Sequence, residues 1–171
     1  GFERIISFDM GGTSTDVAHY DGEYERAFET LVAGVRMRAP MMMIHTVAAG
    51  GGSICFFDGS RYRVGPESAG ALPGPACYGR GGARPTVTDA HVVLGHIAAD
   101  GFGSEDLDIA ADRARDAIER DIASPLKWSV ERAAAGILRL ATANMAETIH
   151  DLVDAYDSEE DGDYTAEDAR R

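Results

Sequence analysis

Lysine is almost absent from this 171-residue chain. Lys127 is the single lysine among 16 basic residues, against 29 aspartates and glutamates, and the formal net charge is −13. A surface this acidic repels the phosphates of nucleic acids, so a nucleic-acid partner is excluded. An acidic, lysine-poor composition is typical of halophilic proteins, adapted to high salt. A genome that favours arginine codons predicts the same scarcity, and the composition leaves both explanations open.

Cysteines and long apolar runs are scarce as well. Cys55 and Cys77 are too few for a disulfide framework and are not spaced like metal ligands, which indicates the reducing cytoplasm. No run of about 18 apolar residues exists, so neither a membrane-spanning helix nor a membrane partner is predicted. The chain opens on a strand-like stretch without a basic leader, and from this we expect a piece of a longer protein.

What the sequence does contain is organised around residues 8–16, Phe-Asp-Met-Gly-Gly-Thr-Ser-Thr-Asp. Flanking apolar runs predict a strand, a tight turn, a second strand and a third strand to about Phe28. Glycines let a ligand approach the backbone, and successive N–H groups in such a turn form an anion site. Because a carboxylate repels phosphate unless a cation lies between them, Asp9 and Asp16 predict Mg²⁺ or a positioned water. The alternative is a polar turn whose side chains satisfy only their own backbone.

A second glycine-rich stretch follows the apolar run at residues 41–47, which predicts a buried strand. Between that strand and a predicted hairpin turning at Asp58-Gly59 lie Gly50, Gly51, Gly52 and Ser53. Each glycine carries an entropic penalty of roughly 0.5–1 kcal/mol relative to alanine, so we expect the backbone there to approach something closely. A flexible loop is the alternative. A dinucleotide-binding Rossmann motif is excluded, because the third glycine of Gly-x-Gly-x-x-Gly is missing.

The rest of the chain predicts an ordered loop and helices. Residues 65–85 are rich in glycine and proline but carry aromatics and arginines, which indicates an ordered loop. Cys77, within it, is interpreted as a small buried thiol rather than a nucleophile. His91 and His96 are five apart and share a helical face poorly, so we interpret both as non-ligands. Apolar periodicity and capping residues predict three helices. The first begins within Thr86–Asp89 and ends at about Ile97, and the second covers about 107–122 and stops at Pro125. The third runs from Ser129 to about Val153.

Five motifs in order, at residues 8–17, 49–54, 64–70, 73–82 and 86–90, resemble the A-type subunit of the hydantoinase/5-oxoprolinase family. The first also resembles the phosphate hairpin of the actin, sugar-kinase and heat-shock-chaperone ATPases. The resemblance implies an α/β fold, part of an actin-like, ribonuclease-H-like ATPase domain with a mixed sheet of hairpins and packed helices. It implies one partial domain over 1–156. The acidic stretch 157–171 is predicted to be a disordered tail or an exposed linker.

By this resemblance, the function is ATP-dependent hydrolysis of a cyclic amide, such as a hydantoin or 5-oxoproline, through phosphorylation of the carbonyl oxygen. The implied cofactors are ATP and Mg²⁺. The implied partners are a small cyclic-amide substrate, the remainder of a parent subunit and a B-type subunit. Because the family's subunits are several times longer, we expect this chain to be inactive alone. The alternatives are a subunit of an ATP-dependent ketone carboxylase and a non-catalytic actin-like interaction domain.

The resemblance also assigns site residues. Catalytic and metal-binding roles fall to Asp9 and Asp16. Substrate or domain contacts are a weaker expectation for Glu67, Arg80 and Asp89. Contacts with the nucleotide are implied for Gly11, Gly12, Thr13, Thr15, Gly50, Gly51, Gly52 and Ser53.

Overall fold

The computed structural model describes residues 2–27, 30–32, 35–39, 41–98 and 108–160. The strands are β1 (Arg4–Met10), β2 (Thr15–Asp21), β3 (Glu23–Tyr24), β4 (Arg26–Ala27), β5 (Thr30–Val32), β6 (Val35–Met37), β7 (Met41–Met42), β8 (His45–Val47), β9 (Ser53–Phe57) and β10 (Tyr62–Ser68). The helices are α1 (Val87–Val93), α2 (Ala111–Ile118), α3 (Ser124–Leu126) and α4 (Val130–Glu160). The predicted α/β class, with hairpin-built sheets and packed helices, is confirmed.

The strands form one sheet of β1, β2, β3 and β8, and three two-stranded ribbons, β4–β7, β5–β6 and β9–β10. By its internal contacts the chain divides into two compact units. The first comprises residues 1–8, 17–45 and 146–171, and the second comprises residues 9–16 and 46–145. The second unit holds the predicted site, because both glycine-rich stretches belong to it.

The first unit leaves much apolar surface in solvent. Phe2, Ile5, Ile6 and Phe8 are exposed, and every residue of β1 is exposed. The apolar run at 41–47 is also not the buried strand that its composition predicts. It forms the short strands β7 and β8, and the Met42 and Ile44 side chains are 47% and 49% exposed. The physical reason is that β7 pairs with β4 in a two-residue ribbon, which is too small to bury a face.

The second unit has an apolar core of two clusters, a larger one and a smaller one around Cys77, Val92 and Ala114. The β9–β10 hairpin, in which Val64 lies opposite Cys55, packs with the helices around Ile118, Ile122 and Ile137. Alanines on α4 allow this close approach, since Ala133, Ala134 and Ala141 are almost completely buried. The predicted Ser129 cap is confirmed, because the Arg132 N–H donates to Ser129 Oγ at 3.2 Å.

The first two predicted helices differ from their predicted bounds, and α1 ends at Val93 rather than at about Ile97. α2 begins at Ala111. It is followed by a π turn, Glu119–Ala123, in which the Ser124 N–H donates to the Glu119 carbonyl oxygen, and the chain stays helical past Ser124-Pro125. The helix ends instead at Lys127, which adopts a φ of +55°. A proline in the first turn of a helical segment breaks no required hydrogen bond, which explains why Pro125, the second residue of α3, is tolerated there.

The last helix extends into the acidic tail. α4 continues to Glu160, so residues 157–160 are helical rather than disordered. Glutamate is a good helix former, and a helix already nucleated on its apolar face can continue through such residues. Residues 161–171 lie outside the described residues, and the division at residue 156 stays a prediction. Among the helices described here, none is long and apolar enough to cross a membrane.

Candidate functional site

The predicted turn between β1 and β2, residues 11–14, is called here the hairpin loop. The Gly11 N–H donates to the Ser14 carbonyl oxygen at 2.8 Å and closes the turn. The next three backbone N–H groups, of Gly12, Thr13 and Ser14, have no acceptor within the described part of the chain. Gly12 and Thr13 are exposed. Consecutive amide donors in an exposed turn can form a concave anion site, which makes the hairpin loop the candidate site.

A second loop, residues 49–53 and called here the supporting loop, lies directly against the hairpin loop. The Gly51 N–H donates to the Gly11 carbonyl oxygen at 3.0 Å, and the Gly52 N–H donates to the Gly12 carbonyl oxygen at 2.6 Å. The Gly50 N–H donates to Ser53 Oγ at 2.9 Å. All three glycine amides are therefore used inside the protein, and none is left for a ligand.

Steric contact explains why the supporting loop contains glycines. A Cβ on Gly50 would lie 2.7 Å from both the Gly11 carbonyl oxygen and the Thr13 nitrogen. A Cβ on Gly52 would lie 2.8 Å from the Gly12 carbonyl oxygen. The close backbone approach expected from the sequence is present, and its partner is the hairpin loop itself.

Thr15 has the same supporting role. Its side chain is fully buried, and its hydroxyl donates to the Ala49 carbonyl oxygen at 2.6 Å. Ser53 is fully buried as well. The nucleotide contacts expected of Thr15, Gly50, Gly51, Gly52 and Ser53 stay predictions. In this structure the Thr15 hydroxyl and the three glycine amides donate hydrogen bonds within the chain, and these residues support the hairpin loop.

The two aspartates that flank the loop differ. Asp9 is exposed at the end of β1, and its carboxylate has no hydrogen bond or ion pair within the described residues. Asp16 is half-buried and accepts a hydrogen bond from Thr46 Oγ1 at 2.7 Å. No group of three or more histidines, cysteines, aspartates or glutamates suited to a metal ion occurs among the residues described. A cation here would take most of its ligands from water or phosphate, as Mg²⁺ commonly does.

Ser68 is a site residue that the sequence reasoning missed. It lies at the end of β10, and its hydroxyl donates to Thr13 Oγ1 at 3.5 Å while accepting from the Gly70 N–H at 3.1 Å. The Ala69 N–H donates to the Gly52 carbonyl oxygen at 2.8 Å. The motif at residues 64–70 contains Ser68 and contributes to the family resemblance. Nothing in the sequence connects this motif with the hairpin loop.

Asp89 proves to be a buried structural residue. Its carboxylate is fully buried and accepts hydrogen bonds from the Cys77 N–H at 2.7 Å and from both the Thr86 N–H and hydroxyl at 2.8 Å. The start of α1 also holds the supporting loop, because the Thr88 N–H and hydroxyl both donate to the Gly51 carbonyl oxygen at 2.8 Å. The expected substrate contact of Asp89 is excluded by this enclosure.

The remaining candidates, Glu67 and Arg80, form no hydrogen bond with the hairpin loop in the described part of the chain. Glu67 forms an exposed ion pair with Arg84 at 2.7 Å, and Arg80 is exposed. Burial, followed by the nearby Asp89 charge, raises the pKa of the Cys77 thiol far above its usual range. A thiol that stays protonated is not a nucleophile, so the structure agrees with the interpretation of Cys77 as a buried packing residue.

The fold and the loop first define a class of protein. The same fold occurs in the nucleotide-free structure of acetone carboxylase, an enzyme of ATP-dependent acetone carboxylation. The TM-score is 0.81, the identity is 32%, and the match covers 90% of this chain and 22% of that one. It also occurs in the ATP-dependent caprolactamase from Pseudomonas jessenii, with a TM-score of 0.76, 43% identity and coverage of 87% and 22%. The class is thus an α/β domain found in larger ATP-dependent enzymes.

The chain belongs to the hydantoinase/oxoprolinase family, whose model matches residues 1–164. Among its relatives, 5-oxoprolinase 1 from Arabidopsis thaliana is 44% identical over 168 residues. That match covers 88% of this chain and 13% of the relative. The resemblance inferred from the five motifs is confirmed, and the chain spans only a small part of the length of these relatives.

Proposed function

We propose that this chain is part of an ATP-dependent enzyme that opens a cyclic amide, such as a hydantoin or 5-oxoproline, by phosphorylating its carbonyl oxygen. The hairpin loop would hold the phosphates of ATP. The observation that carries this proposal is the row of three N–H groups near the Asp9 carboxylate, all of which lack a partner among the described residues. The 5-oxoprolinase and caprolactamase relatives, both named for reactions of cyclic amides, support it.

The residues of the hairpin loop suit phosphoryl transfer. An amide oxygen is a poor leaving group, and attaching a phosphoryl group to it activates the carbonyl carbon. Such transfer depends on positioning and on neutralising charge. The amides of Gly12, Thr13 and Ser14 would donate to phosphate oxygens, and the Thr13 hydroxyl, oriented by Ser68, would add a donor. The supporting loop would keep these donors fixed, so little ordering is left to occur on binding.

Asp9 fits Mg²⁺ because it is an exposed carboxylate at the edge of an anion site. Two like-charged groups tolerate this proximity when a cation lies between them. When bound, Mg²⁺ would supply charge neutralisation on the transferring phosphoryl group. Asp16 would contact the Mg²⁺ ion through a bridging water, because its carboxylate already accepts a hydrogen bond from Thr46.

We further infer that this chain has two protein partners. The first is the remainder of its parent subunit, and the second is a B-type subunit. The exposed apolar residues of the first unit, Phe2, Ile5, Ile6 and Phe8, support the first part, since exposed apolar surface of this extent marks an interface. We place the assembly in the cytoplasm, because both cysteines are free thiols.

A second candidate function is ATP-dependent carboxylation of a ketone. The likeness to acetone carboxylase, with a TM-score of 0.81, favours it. Both reactions would use the same phosphate loop, since a ketone enolate and an amide oxygen can each accept a phosphoryl group. The hairpin loop therefore supports phosphoryl transfer equally in the two cases, and the substrate distinguishes them.

The test uses the full-length parent protein together with its B-type partner. ATP turnover is measured with 5-oxoproline, hydantoin, caprolactam, and acetone with bicarbonate. We expect stimulation by a cyclic amide; stimulation by the ketone with bicarbonate alone would establish the second candidate. The 171-residue chain by itself should show no steady ATP turnover with Mg²⁺. Sustained multiple turnover by the isolated chain would refute the view that it is one part of the catalytic unit.

A further inference from the structure

The end of α1 brings two histidines together. His91 and His96 are five residues apart, a spacing that separates side chains on a continuous helix. The helix, however, ends at Val93, and Gly95 adopts a φ of +72°. The reversed chain is tied back by a hydrogen bond from the His96 N–H to the His91 carbonyl oxygen at 2.9 Å. As a result the two Nδ1 atoms lie 3.1 Å apart.

This separation is the one that two imidazole ligands have on a single metal ion. With Zn–N bonds of about 2.0–2.1 Å and N–Zn–N angles of about 90–110°, two ligand nitrogens lie roughly 2.9–3.4 Å apart. The rings are tilted by 52° with centroids 5.3 Å apart, so they approach each other through their edges and not as a flat stack. Neither ring has another hydrogen-bond partner within the described residues.

We propose that His91 and His96 form a chelating site for a divalent transition-metal ion of the zinc type. Imidazole nitrogen favours zinc, copper and nickel, whereas Mg²⁺ prefers oxygen ligands. The site uses neither the hairpin loop nor the supporting loop. The metal-site proposal goes beyond the proposed function and does not depend on it.

Binding requires a change of tautomer and a rotation of the rings that turns both Nδ1 lone pairs toward one ion. In the neutral pair, one Nδ1–H donates to the lone pair of the other Nδ1. When the metal binds, that proton leaves Nδ1 and Nε2 of the same ring takes one up from solvent, so both Nδ1 lone pairs bond to the ion without net proton release. No third histidine, cysteine, aspartate or glutamate joins the pair among the described residues, so water completes the coordination. The site is therefore open and exchangeable, unlike a closed structural zinc site.

Calorimetric titration of the 171-residue chain with Zn²⁺, in excess Mg²⁺, tests the proposal. The variants are His91→Gln, His96→Gln and the double variant, with His150→Gln on α4 as the matched control, because His150 is exposed like His96. We expect a single equivalent of Zn²⁺ to bind, with each pair variant weakening it by about tenfold or more and the control leaving it unchanged. Unchanged affinity in the double variant would overturn the proposal.

Nitrogen NMR of the unaltered chain provides a test that needs no variant. On addition of Zn²⁺, the Nδ1 resonances of His91 and His96 should move together to the metal-bound range while both Nε2 atoms stay protonated. Movement of a different histidine, or of Nε2 instead of Nδ1, would contradict the site. Because Asp9 is not involved, the outcome is distinct from that of any experiment on ATP turnover.

Discussion

The hairpin loop and the supporting loop are both glycine-rich, and they have opposite surroundings. Open space surrounds the position of a Cβ on Gly12, and the amides next to it lack acceptors in the described structure. Backbone atoms lie 2.7 Å from the position of a Cβ on Gly50, and its amide is hydrogen-bonded. Glycine thus permits ligand access in one loop and backbone packing in the other. Composition alone does not distinguish these two roles.

Asp9 and Asp89 show the same contrast between carboxylates. Asp9 is exposed and has no partner among the described residues, whereas Asp89 is fully buried and satisfied by backbone and hydroxyl donors. A free carboxylate near an anion site is available for chemistry. An enclosed and fully hydrogen-bonded one stabilises the fold. The comparison therefore predicts which substitutions affect activity and which affect stability.

The largest expected effect is that of Asp9→Asn in the full-length parent protein. Loss of the charge that holds Mg²⁺ should lower ATP-dependent turnover by about 10²–10³-fold, a magnitude typical of a group that stabilises transition-state charge. The free energy of unfolding should not change, since the carboxylate has no partner to lose. Asp112→Asn, an exposed aspartate on α2, is the control for steady-state kinetics. Equal turnover in both variants would remove Asp9 from the site.

Gly50→Ala should be the most destabilising single change in the two loops. The added Cβ meets backbone atoms that have no rotamer by which to move away. Overpacking of this kind costs about 1–3 kcal/mol in the free energy of unfolding. Urea denaturation of the 171-residue chain measures it. A variant as stable as the original chain would show that the two loops are not packed as described.

Asp89→Asn tests the buried carboxylate in the same assay. An asparagine presents an N–H₂ group to donors that need an acceptor, leaving buried N–H groups unpaired at a cost of about 1–3 kcal/mol. We expect the loss to appear in stability, and turnover by the folded full-length parent protein carrying the same substitution to remain. A catalytic defect without any loss of stability would instead favour the substrate role expected from the sequence.

Two threonines of the same hairpin form a matched pair. Thr15→Val removes the buried hydrogen bond to the Ala49 carbonyl oxygen and should cost about 1 kcal/mol of stability. Thr13→Val changes an exposed hydroxyl and should leave stability nearly unchanged while raising the KM for ATP. Comparison of urea midpoints and of KM values separates the two effects. The reverse assignment would mean that Thr15 faces the nucleotide.

The smallest expected effect on stability is that of Gly12→Ala. The new Cβ enters open space, so the free energy of unfolding should change by no more than about 0.5 kcal/mol. ATP binding should weaken nonetheless, because the Cβ would occupy space that a phosphate needs. A nucleotide affinity equal to that of the original chain would show that the loop is only a polar turn.

Much of the fold could be predicted from the sequence because its signals are local. The hairpin around the loop, the β9–β10 hairpin, the Ser129 cap and the Thr86 cap all follow from turn and capping chemistry within a few residues. The helix stops were less predictable. Pro125 does not end its helix, because a π turn shifts the hydrogen-bond register there, and α1 ends at Val93 because Gly95 reverses the chain.

The candidate site was predictable in part. The sequence located Gly12 and Thr13, which are exposed on the hairpin loop, and Asp9, which is exposed in β1 next to it. It could not place Thr15 or the supporting loop behind them, nor Ser68 beside Thr13, because those contacts join residues far apart in the chain. The apolar run at 41–47 shows the same limit, since its burial depends on what packs against it.

The sequence by itself determined the family, the α/β class and the position of the loop, since turn glycines, hydroxyls and strand patterns act over a few neighbouring residues. Tertiary structure alone decided which glycines and carboxylates are free to meet a ligand and which are used internally. It also decided that His91 and His96 face each other. The physical reason is that availability depends on hydrogen bonds and steric contacts made between distant segments, and these exist only once the chain has folded.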